Sequence, residues 1–397
     1  MRGLAYLIFL FAAAQVAWAG RAFTIMAYNP DNLVGVDGRT ASEEYLPRRY
    51  TRAHLITKLN NIARIALQIE PERGPDVILF QEFERDMNAG HYTYDYDGML
   101  RRYQDVQIEQ MLGENFTPEI GQIPIEGLLL KMFADRGMKG YHVISADDAI
   151  LPDSRHYITH LNVIFTRFPV GIVHTYVVPG APAMMEAQVE VEGYPLYLFN
   201  VDWAENPTTR TAEELRIQAA EILRARLDEI FSVNPNADVL LAGDFNCFYD
   251  QKFRYPWPRT ALHDVLRVRG DELLLRNSSD YLYNLWYELP STERASEIFA
   301  EGWGSFMQMI VSRGMYDFRG IQYVDNSFQV AAFENVNANE DGTPYAWNFH
   351  GTGAGFSSHF PLVAHFTTVR NNRADQFIQL PQHQRPELNQ SVHAASN

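Results

Sequence analysis

Four apolar segments of this chain run directly into carboxyl or carboxamide side chains, and this pattern constrains the possible folds more than any other feature. The segments, each with the polar residues that follow it, are Thr24–Tyr28 with Asn29, Val77–Phe80 with Gln81 and Glu82, Leu196–Phe199 with Asn200 and Asp202, and Val239–Ala242 with Asp244 and Asn246. Short runs of β-branched and aromatic residues predict buried strands. Ligands commonly bind at the carboxyl ends of strands in layered α/β folds, so adjacent strands would bring these polar groups together.

Two helical patterns interrupt the predicted strands. One covers Tyr50–Ile69. The other covers Thr211–Phe231; we expect it to open with a capping box of Thr211 and Glu214 and to carry an apolar stripe that begins at Leu215. Further strands are predicted at Val163–Thr166, Gly171–Val178, Gln188–Val191, Met309–Ser312, Phe328–Ala332 and Leu362–Thr367. Many strands with few helices between them favour a mixed α/β fold with more than one sheet.

The charge and cysteine content exclude several kinds of site. The 397 residues include 33 Lys and Arg against 49 Asp and Glu, which gives a formal net charge of −16. Such a chain is not expected to hold nucleic acid or an anionic membrane through net charge, and an anionic substrate would require a bound cation or a local basic patch. The single cysteine, Cys247, excludes an intramolecular disulfide and a cysteine-based zinc site. Carboxylate and amide oxygens instead suit a hard cation such as Mg²⁺ or Ca²⁺.

The first residues have the pattern of a secretory signal peptide. Arg2 precedes the apolar stretch Leu4–Trp18, and small residues at 17 and 19 frame a cleavage site before Gly20. We therefore expect a signal peptide at 1–19, one domain at 20–370 and a disordered polar tail at 371–397. The mature chain is expected to be secreted or periplasmic, with no stable membrane span and with no protein partner inferred.

Five ordered motifs resemble those of the endonuclease/exonuclease/phosphatase superfamily, which includes DNase I-like nucleases, neutral sphingomyelinases and inositol polyphosphate 5-phosphatases. The motifs are Phe23–Asn29, Pro75–Glu82, Leu198–Asp202, Gly243–Asn246 and Ser357–Leu362. Each is short, but their order makes the resemblance specific, and it extends over nearly all of the mature domain. It implies an α/β, DNase I-like four-layer sandwich, with two mixed β-sheets packed face to face and helices outside. With the leader sequence, it indicates a secreted, bacterial-type member.

The resemblance also implies metal-assisted hydrolysis of phosphate esters, with Mg²⁺, or Mn²⁺ or Ca²⁺, as the cofactor. Glu82 resembles the main metal ligand of the family, and Asn29 lies beside it. Asp31 is in the position where some members have a second metal-site acid. A divalent cation suits this chemistry because it neutralises the phosphate anion, which otherwise resists attack by another anion.

The remaining site residues follow from the same resemblance. Asp244 resembles the residue that orients or deprotonates the attacking water. Asn246 and Asn200 are expected to bind phosphoryl oxygens. His359 resembles the phosphate-contacting histidine of the family, and Asn162 matches a further recurrent motif that is expected near the substrate.

Three positions depart from the family pattern. The family reads Ser-Asp-His where this chain has Ser358 before His359, and Met307 stands where the family has an acid that pairs with the histidine. Without that acid, His359 loses an orienting partner and a protonated imidazole is less favoured. Asp202 stands where many nuclease-like members have histidine, and it could act as an acid only if its pKa were raised.

Two interpretations of these departures stay open. In the first, the site is rearranged but active, and Asp31, Asp202 or Glu205 replaces lost ligands. In the second, the chain is a degenerate, non-catalytic binding protein on the same fold. Replacing Met307 and Ser358 by Asp together is expected to raise activity or metal affinity. The substrate is not specified: nucleic acid, a phospholipid head group and a small phosphate ester all remain candidates.

Overall fold

The computed structural model describes residues 20–38, 40, 42–85, 94–145, 160–300 and 302–369. The predicted signal peptide at 1–19 and the predicted tail at 371–397 lie outside the described residues. Within them, no helix combines the length and the apolar character that a bilayer span requires.

The strands and helices alternate along the described chain. The strands are β1 (Ala22–Tyr28), β2 (Val77–Glu84), β3 (His142–Ser145), β4 (His160–Thr166), β5 (Val170–Tyr176), β6 (Met184–Val191), β7 (Tyr194–Asp202), β8 (Asp238–Asp244), β9 (Val268–Arg269), β10 (Leu282–Asn284), β11 (Glu297–Phe299), β12 (Gly302–Gly304), β13 (Met307–Val311), β14 (Gly320–Tyr323), β15 (Gln329–Val330) and β16 (Leu362–Val369). The α-helices are α1 (Arg52–Ile69), α2 (Tyr96–Arg102), α3 (Ile108–Leu112), α4 (Pro118–Gly121), α5 (Ile125–Asp135), α6 (Arg210–Val233), α7 (Gln251–Arg254) and α8 (Glu272–Asn277). Short 3-10 turns occupy Glu43–Tyr45, Leu285–Glu288, Ser291–Glu293 and Arg313–Tyr316, and a π-turn occupies Ala261–Val265.

The strands form two mixed seven-stranded sheets and a small hairpin. The first sheet has the order β14-β16-β1-β2-β4-β3, with β15 also paired to β16, and the second has the order β5-β6-β7-β8-β13-β10-β9. Parallel pairing joins β1 to β2, β7 to β8 and β9 to β10, whereas the other neighbours are antiparallel. The hairpin of β11 and β12 lies outside both sheets.

Alternation along the strands builds four layers. In β1, Ile25 and Ala27 pack between the two sheets, whereas Met26 and Tyr28 face a core shared with α1 and α5. On the second sheet, apolar residues of β7 and β8 face α6 on the outside. Because side chains of a strand alternate between faces, one strand contributes to both an inter-sheet core and a helix-covered core. The predicted four-layer fold, with two sheets face to face and helices outside, is confirmed.

The start of α6 differs from the prediction. Thr209, rather than Thr211, caps the helix, because its side chain accepts a hydrogen bond from the amide of Ala212 at 3.4 Å. Leu215 is only half-buried, and Arg216 is fully buried on the stripe instead. An ion pair with Glu213 at 2.9 Å compensates this buried charge.

Candidate active site

A β-bulge turns Glu82 towards the gap between the sheets. The pairing of β2 with β4 shifts register between residues 80 and 83, and Glu82 has a left-handed φ of 53°. A bulge inserts one extra residue into a strand and re-aims the side chains beside it. As a result, two successive side chains of β2 form hydrogen bonds in the region between the sheets. Gln81 donates to Asn200 Oδ1 at 2.7 Å, and Glu82 Oε1 accepts from Asn29 Nδ2 at 2.8 Å.

Asn29 joins the two sheets at this end of the sandwich. Its side-chain amide donates to Glu82 Oε1 and, at 3.2 Å, to Asp244 Oδ2 on the second sheet. The backbone amide of Asn32 donates to Glu82 Oε2 at 3.0 Å. Both Asp31 and Asn32 have φ of 60°, so the loop after β1 turns back sharply towards Glu82.

Ser358 holds the carboxylate of Asp31. Its backbone amide donates to Asp31 Oδ2 at 2.9 Å, and its hydroxyl donates to Asp31 Oδ1 at 3.0 Å. The neighbouring Ser357 donates to the carbonyl of Asn29 at 2.7 Å. Asp31 therefore brings a carboxylate to position 358, where the family pattern has an acid and this chain does not.

His359 lies between two carboxylates. Its Nε2 is 3.5 Å from Asp244 Oδ2, and its Nδ1 is 4.0 Å from Asp31 Oδ1 and 3.1 Å from the hydroxyl of Ser358. Burial lowers the pKa of His359, but the surrounding negative charges outweigh burial, so that the pKa is raised overall. The groups that raise it, largest first, are Asp244, Glu297, Asp31 and Glu82. A protonated imidazole is an anion-binding group.

The donor chemistry around Glu82 fits a hard divalent cation. Burial and then the charge of Asp31 raise the pKa of Glu82 to about 7, although the hydrogen bond from Asn29 opposes this. Glu82 and Asp31 thus provide two carboxylates in a partly buried setting, and oxygen donors of this kind suit Mg²⁺. Within the described residues, no three Asp, Glu, His or Cys side chains converge as ligands of one ion. The candidate donor set therefore consists of two carboxylates and one amide.

The loop after β8 connects Asp244 to Asp202. The amide of Asn246 donates to Asp244 Oδ1 at 2.9 Å, and the side chain of Asn246 donates to Asp202 Oδ1 at 3.2 Å and to the carbonyl of Trp203 at 2.8 Å. Burial, followed by the charges of Glu82, Asp244 and Glu205, raises the pKa of Asp202 well above its ordinary value. Asp202 therefore retains its proton at a pH where an exposed carboxyl group has lost it.

Asn200 and Asn162 lie beneath the site rather than in it, which differs from the prediction. Asn200 is fully buried and donates both amide hydrogens to backbone carbonyls, of Phe80 at 2.9 Å and of Val163 at 3.1 Å. It has no hydrogen left for a phosphoryl oxygen. Asn162 is also fully buried and donates to a backbone carbonyl at 2.9 Å, while its Oδ1 has no hydrogen-bond partner among the described residues. Both amides link the sheets, a use that strand-end position alone does not reveal.

Lys58 also supports the site, although it is not among the predicted site residues. Its ammonium group donates to the carbonyls of Asp31 and of Asn32, the latter at 3.0 Å, and to the hydroxyl of Tyr45 at 3.2 Å. These bonds fasten the two left-handed residues that carry Asp31. A signal existed in the sequence: Lys58 interrupts the apolar stripe of α1 directly before Leu59, and a lysine on a buried helix face requires a partner.

A second added residue is Glu297, on β11. It is 2 % exposed and forms an isolated antiparallel bridge with His359. No sequence signal pointed to it, because the hairpin of β11 and β12 has three residues in each strand and a glycine at each end of β12.

The chain is similar to one sequence family and to several solved structures. Residues 189–368 match the sequence model of the endonuclease/exonuclease/phosphatase family. No curated protein matches the chain. The similar solved structures include TDP2 from C. elegans (13% identity, 90% of this chain and 81% of that chain, TM-score 0.46). They also include endonuclease/exonuclease/phosphatase family proteins from Leptotrichia buccalis (12%, 86% and 98%, 0.48) and Bacteroides thetaiotaomicron (13%, 88% and 96%, 0.46). The family model covers less than half of the chain, from β6 to β16, and the match supports the endonuclease/exonuclease/phosphatase superfamily.

Proposed function

We propose that this chain is a divalent-metal-dependent hydrolase of phosphate esters from the endonuclease/exonuclease/phosphatase superfamily. The observation that carries the proposal is the hydrogen-bonded group around Asn29, which links Glu82 to Asp244, with His359 at 3.5 Å from Asp244. This group combines a carboxylate for a cation, a carboxylate for water and a cationic ring for phosphate, which are the parts that phosphoryl transfer requires.

Glu82, with Asp31 and Asn29, would hold the cation, with Mg²⁺ as the favoured ion and Mn²⁺ or Ca²⁺ as alternatives. When bound, the ion neutralises negative charge on the phosphoryl group. A chain with a net charge of −16 has a particular need for such a cation when its substrate is an anion.

Asp244 is the residue that activates water in this proposal. The amide of Asn246 fixes its Oδ1 at 2.9 Å, so that Oδ2 faces His359 and Asn29. Oδ2 accepts a proton from the attacking water, and the His359 imidazolium stabilises negative charge on the phosphoryl oxygens.

Asp202 is the proton donor for the leaving oxygen. Burial raises the pKa of Asp202 well above its ordinary value, which favours the protonated carboxyl group that a general acid requires. Asn246 donates to Asp202 at 3.2 Å, the longer of its two side-chain bonds. Exchanging this bond for one to a phosphoryl oxygen would let Asn246 hold the substrate beside the acid.

A hydrolysis assay tests the proposal. Purified protein is treated with EDTA and then assayed with bis-p-nitrophenyl phosphate and p-nitrophenyl phosphate in Mg²⁺, Mn²⁺ or Ca²⁺. We expect metal-dependent turnover that falls about 100-fold or more in Glu82→Gln and Asp244→Asn. The exposed Glu293→Gln is the matched control and should retain full activity. Absence of turnover with every metal, in folded protein, would instead support a non-catalytic binding protein.

A further inference from the structure

The hairpin of β11 and β12 aligns Glu297 with His359. The two residues face each other in an antiparallel bridge, and the amide of Phe360 donates to the carbonyl of Ser296 at 2.7 Å. Residues directly opposite in such a pair place their side chains on the same face, with Cβ atoms about 5 Å apart. The backbone therefore places the side chains of Glu297 and His359 on the same face of this strand pair.

The carboxylate of Glu297 occupies a space made for it. Its Oε1 accepts from the amide of Phe306 at 2.8 Å, and Ser296 donates to its Oε2. Gly304 lies opposite Glu297 on the hairpin, and a Cβ at Gly304 would stand 2.2 Å from Oε1. Any other residue at 304 would thus displace the carboxylate.

This carboxylate lies beside the position from which the family acid is missing. Phe306, whose amide it binds, directly precedes Met307. Met307 is fully buried on β13 and pairs with Asp244 on β8. The carboxylate of Glu297 therefore comes from outside the second sheet and lies near Met307, the position at which the family has an acid.

Glu297 forms no ion pair with a lysine or arginine anywhere in the described ranges. Burial raises the pKa of Glu297 to about 7, and the charge of His359 is the largest influence against that rise. The imidazole is therefore the cationic group that acts on this carboxylate.

We propose that Glu297 is the positioning residue of His359 and provides the negative charge that an acid at position 307 would have provided. This inference rests on the proposed function, in which His359 binds the phosphoryl group. With Asp31 held at Ser358, both missing family acids then have substitutes from elsewhere in the chain. The expectation that Met307→Asp with Ser358→Asp raises activity is accordingly revised: these changes place new carboxylates against Asp244 and Asp31 and should lower it.

The test compares Glu297→Gln, Met307→Asp, the double variant that combines these two changes, and the exposed control Glu293→Gln. Glutamine keeps the size and the acceptor of Glu297 but removes its charge. We expect Glu297→Gln to lower kcat roughly 10- to 100-fold with little change in KM, and the double variant to regain most of the loss. A purely structural role for Glu297 predicts no rescue, because the restored charge sits on a different strand.

A second readout does not depend on activity. The imidazole 1H–13C signal of His359, identified by its loss in His359→Gln, is recorded at one fixed pH. It should shift in Glu297→Gln, return towards the wild-type position in the double variant, and stay unchanged in Glu293→Gln. An unchanged His359 signal and unchanged kcat in folded Glu297→Gln overturn the inference. If wild-type protein hydrolyses nothing, the proposed function fails, and the His359 signal alone then decides the role of Glu297. The same signal, compared between wild-type protein and Glu297→Gln, decides the question when Met307→Asp does not fold.

Discussion

Three carboxyl groups around the site have raised pKa values, and burial is the first cause for each. The pKa of Glu82 and that of Glu297 rise to about 7, and the pKa of Asp202 rises well above its ordinary value. Near neutral pH the site therefore carries less negative charge than its sequence suggests. A bound cation would favour the ionised form of Glu82, which couples metal binding to proton release.

Glu82 makes the stability of the cation-free protein depend on pH. Its folded pKa of about 7 exceeds the ordinary 4.5, so its contribution to stability is full below pH 4.5 and is lost as the pH rises through 7. We expect Mg²⁺ to raise the Tm more at pH 8 than at pH 5.5, because protons compete with the ion. Differential scanning calorimetry with EDTA or Mg²⁺ measures this. The difference should vanish in Glu82→Gln, and an equal Mg²⁺ effect at both pH values would contradict the assignment.

Asp202→Asn separates proton donation from folding. Asparagine can still accept the hydrogen bond from Asn246, so we expect unchanged stability in urea denaturation. Steady-state kinetics should show kcat about 100-fold lower, with KM nearly unchanged. The loss should be larger for a phenyl ester than for a p-nitrophenyl ester, since the poorer leaving group needs the proton more. Equal losses for both esters would show that Asp202 is not the acid.

At the scale of elements, the site depends on a bulge in β2 and on close contact between β7 and β8. Glu82 and Asn246 both have left-handed φ values, 53° and 49°. Such backbone costs on the order of 1–3 kcal/mol per residue and persists where the surroundings over-determine it. Here it aims Glu82 towards Asn29, and Asn246 towards Asp202 and the carbonyl of Trp203.

Gly243 permits the close approach of β7 and β8. A Cβ at Gly243, where φ is 135°, would lie 2.1 Å from the carbonyl oxygen of Val201. Gly193, in the turn before β7, also has a positive φ of 87°, but nothing lies within 4 Å of its Cβ position. We expect Gly193→Ala to lower the free energy of unfolding by about 1–2 kcal/mol. Gly243→Ala should lower it by more than about 3 kcal/mol. Equal losses in urea denaturation would rule out the steric explanation.

The sequence predicted the strands well because alternation and β-branched runs are local signals. β1, β2, β7 and β8 lie where their apolar runs placed them. It did not predict the bulge at Glu82, since a one-residue register shift depends on the partner strand. The burial of Asn200 depends on the distance between the sheets, and the placement of Glu297 depends on a hairpin of only three residues in each strand. The sequence therefore predicted that polar side chains meet at the strand ends, but it did not predict which atoms contact one another.

For the whole molecule, the net charge of −16 opposes the approach of an anionic substrate. Added salt screens this repulsion, with a Debye length of about 10 Å at 0.1 M. We expect kcat/KM for an anionic phosphodiester to rise as KCl increases from 20 to 200 mM at fixed free Mg²⁺. A protein that binds its substrate through a basic groove shows the opposite trend. A fall in kcat/KM with salt would therefore indicate a basic surface that dominates the approach.

We also expect export with cleavage after Ala19. Such cleavage leaves β1 complete, since the pairing with β16 begins at Ala22 and the amide of Thr368 donates to the carbonyl of Arg21. Expression in a bacterial host, followed by intact-mass measurement of the exported protein, should give a chain that starts at Gly20. Recovery of the full-length chain from the membrane fraction would instead indicate an uncleaved anchor.

An anomalous difference map from crystals grown with Mn²⁺ and inorganic phosphate shows directly whether Glu82 binds a divalent cation beside a phosphate site at His359. We expect a manganese peak at coordination distance from the carboxylate of Glu82, with a phosphate between the manganese and His359. A well-ordered structure that shows no manganese at Glu82, or phosphate bound away from His359 and Asp244, would contradict this expectation.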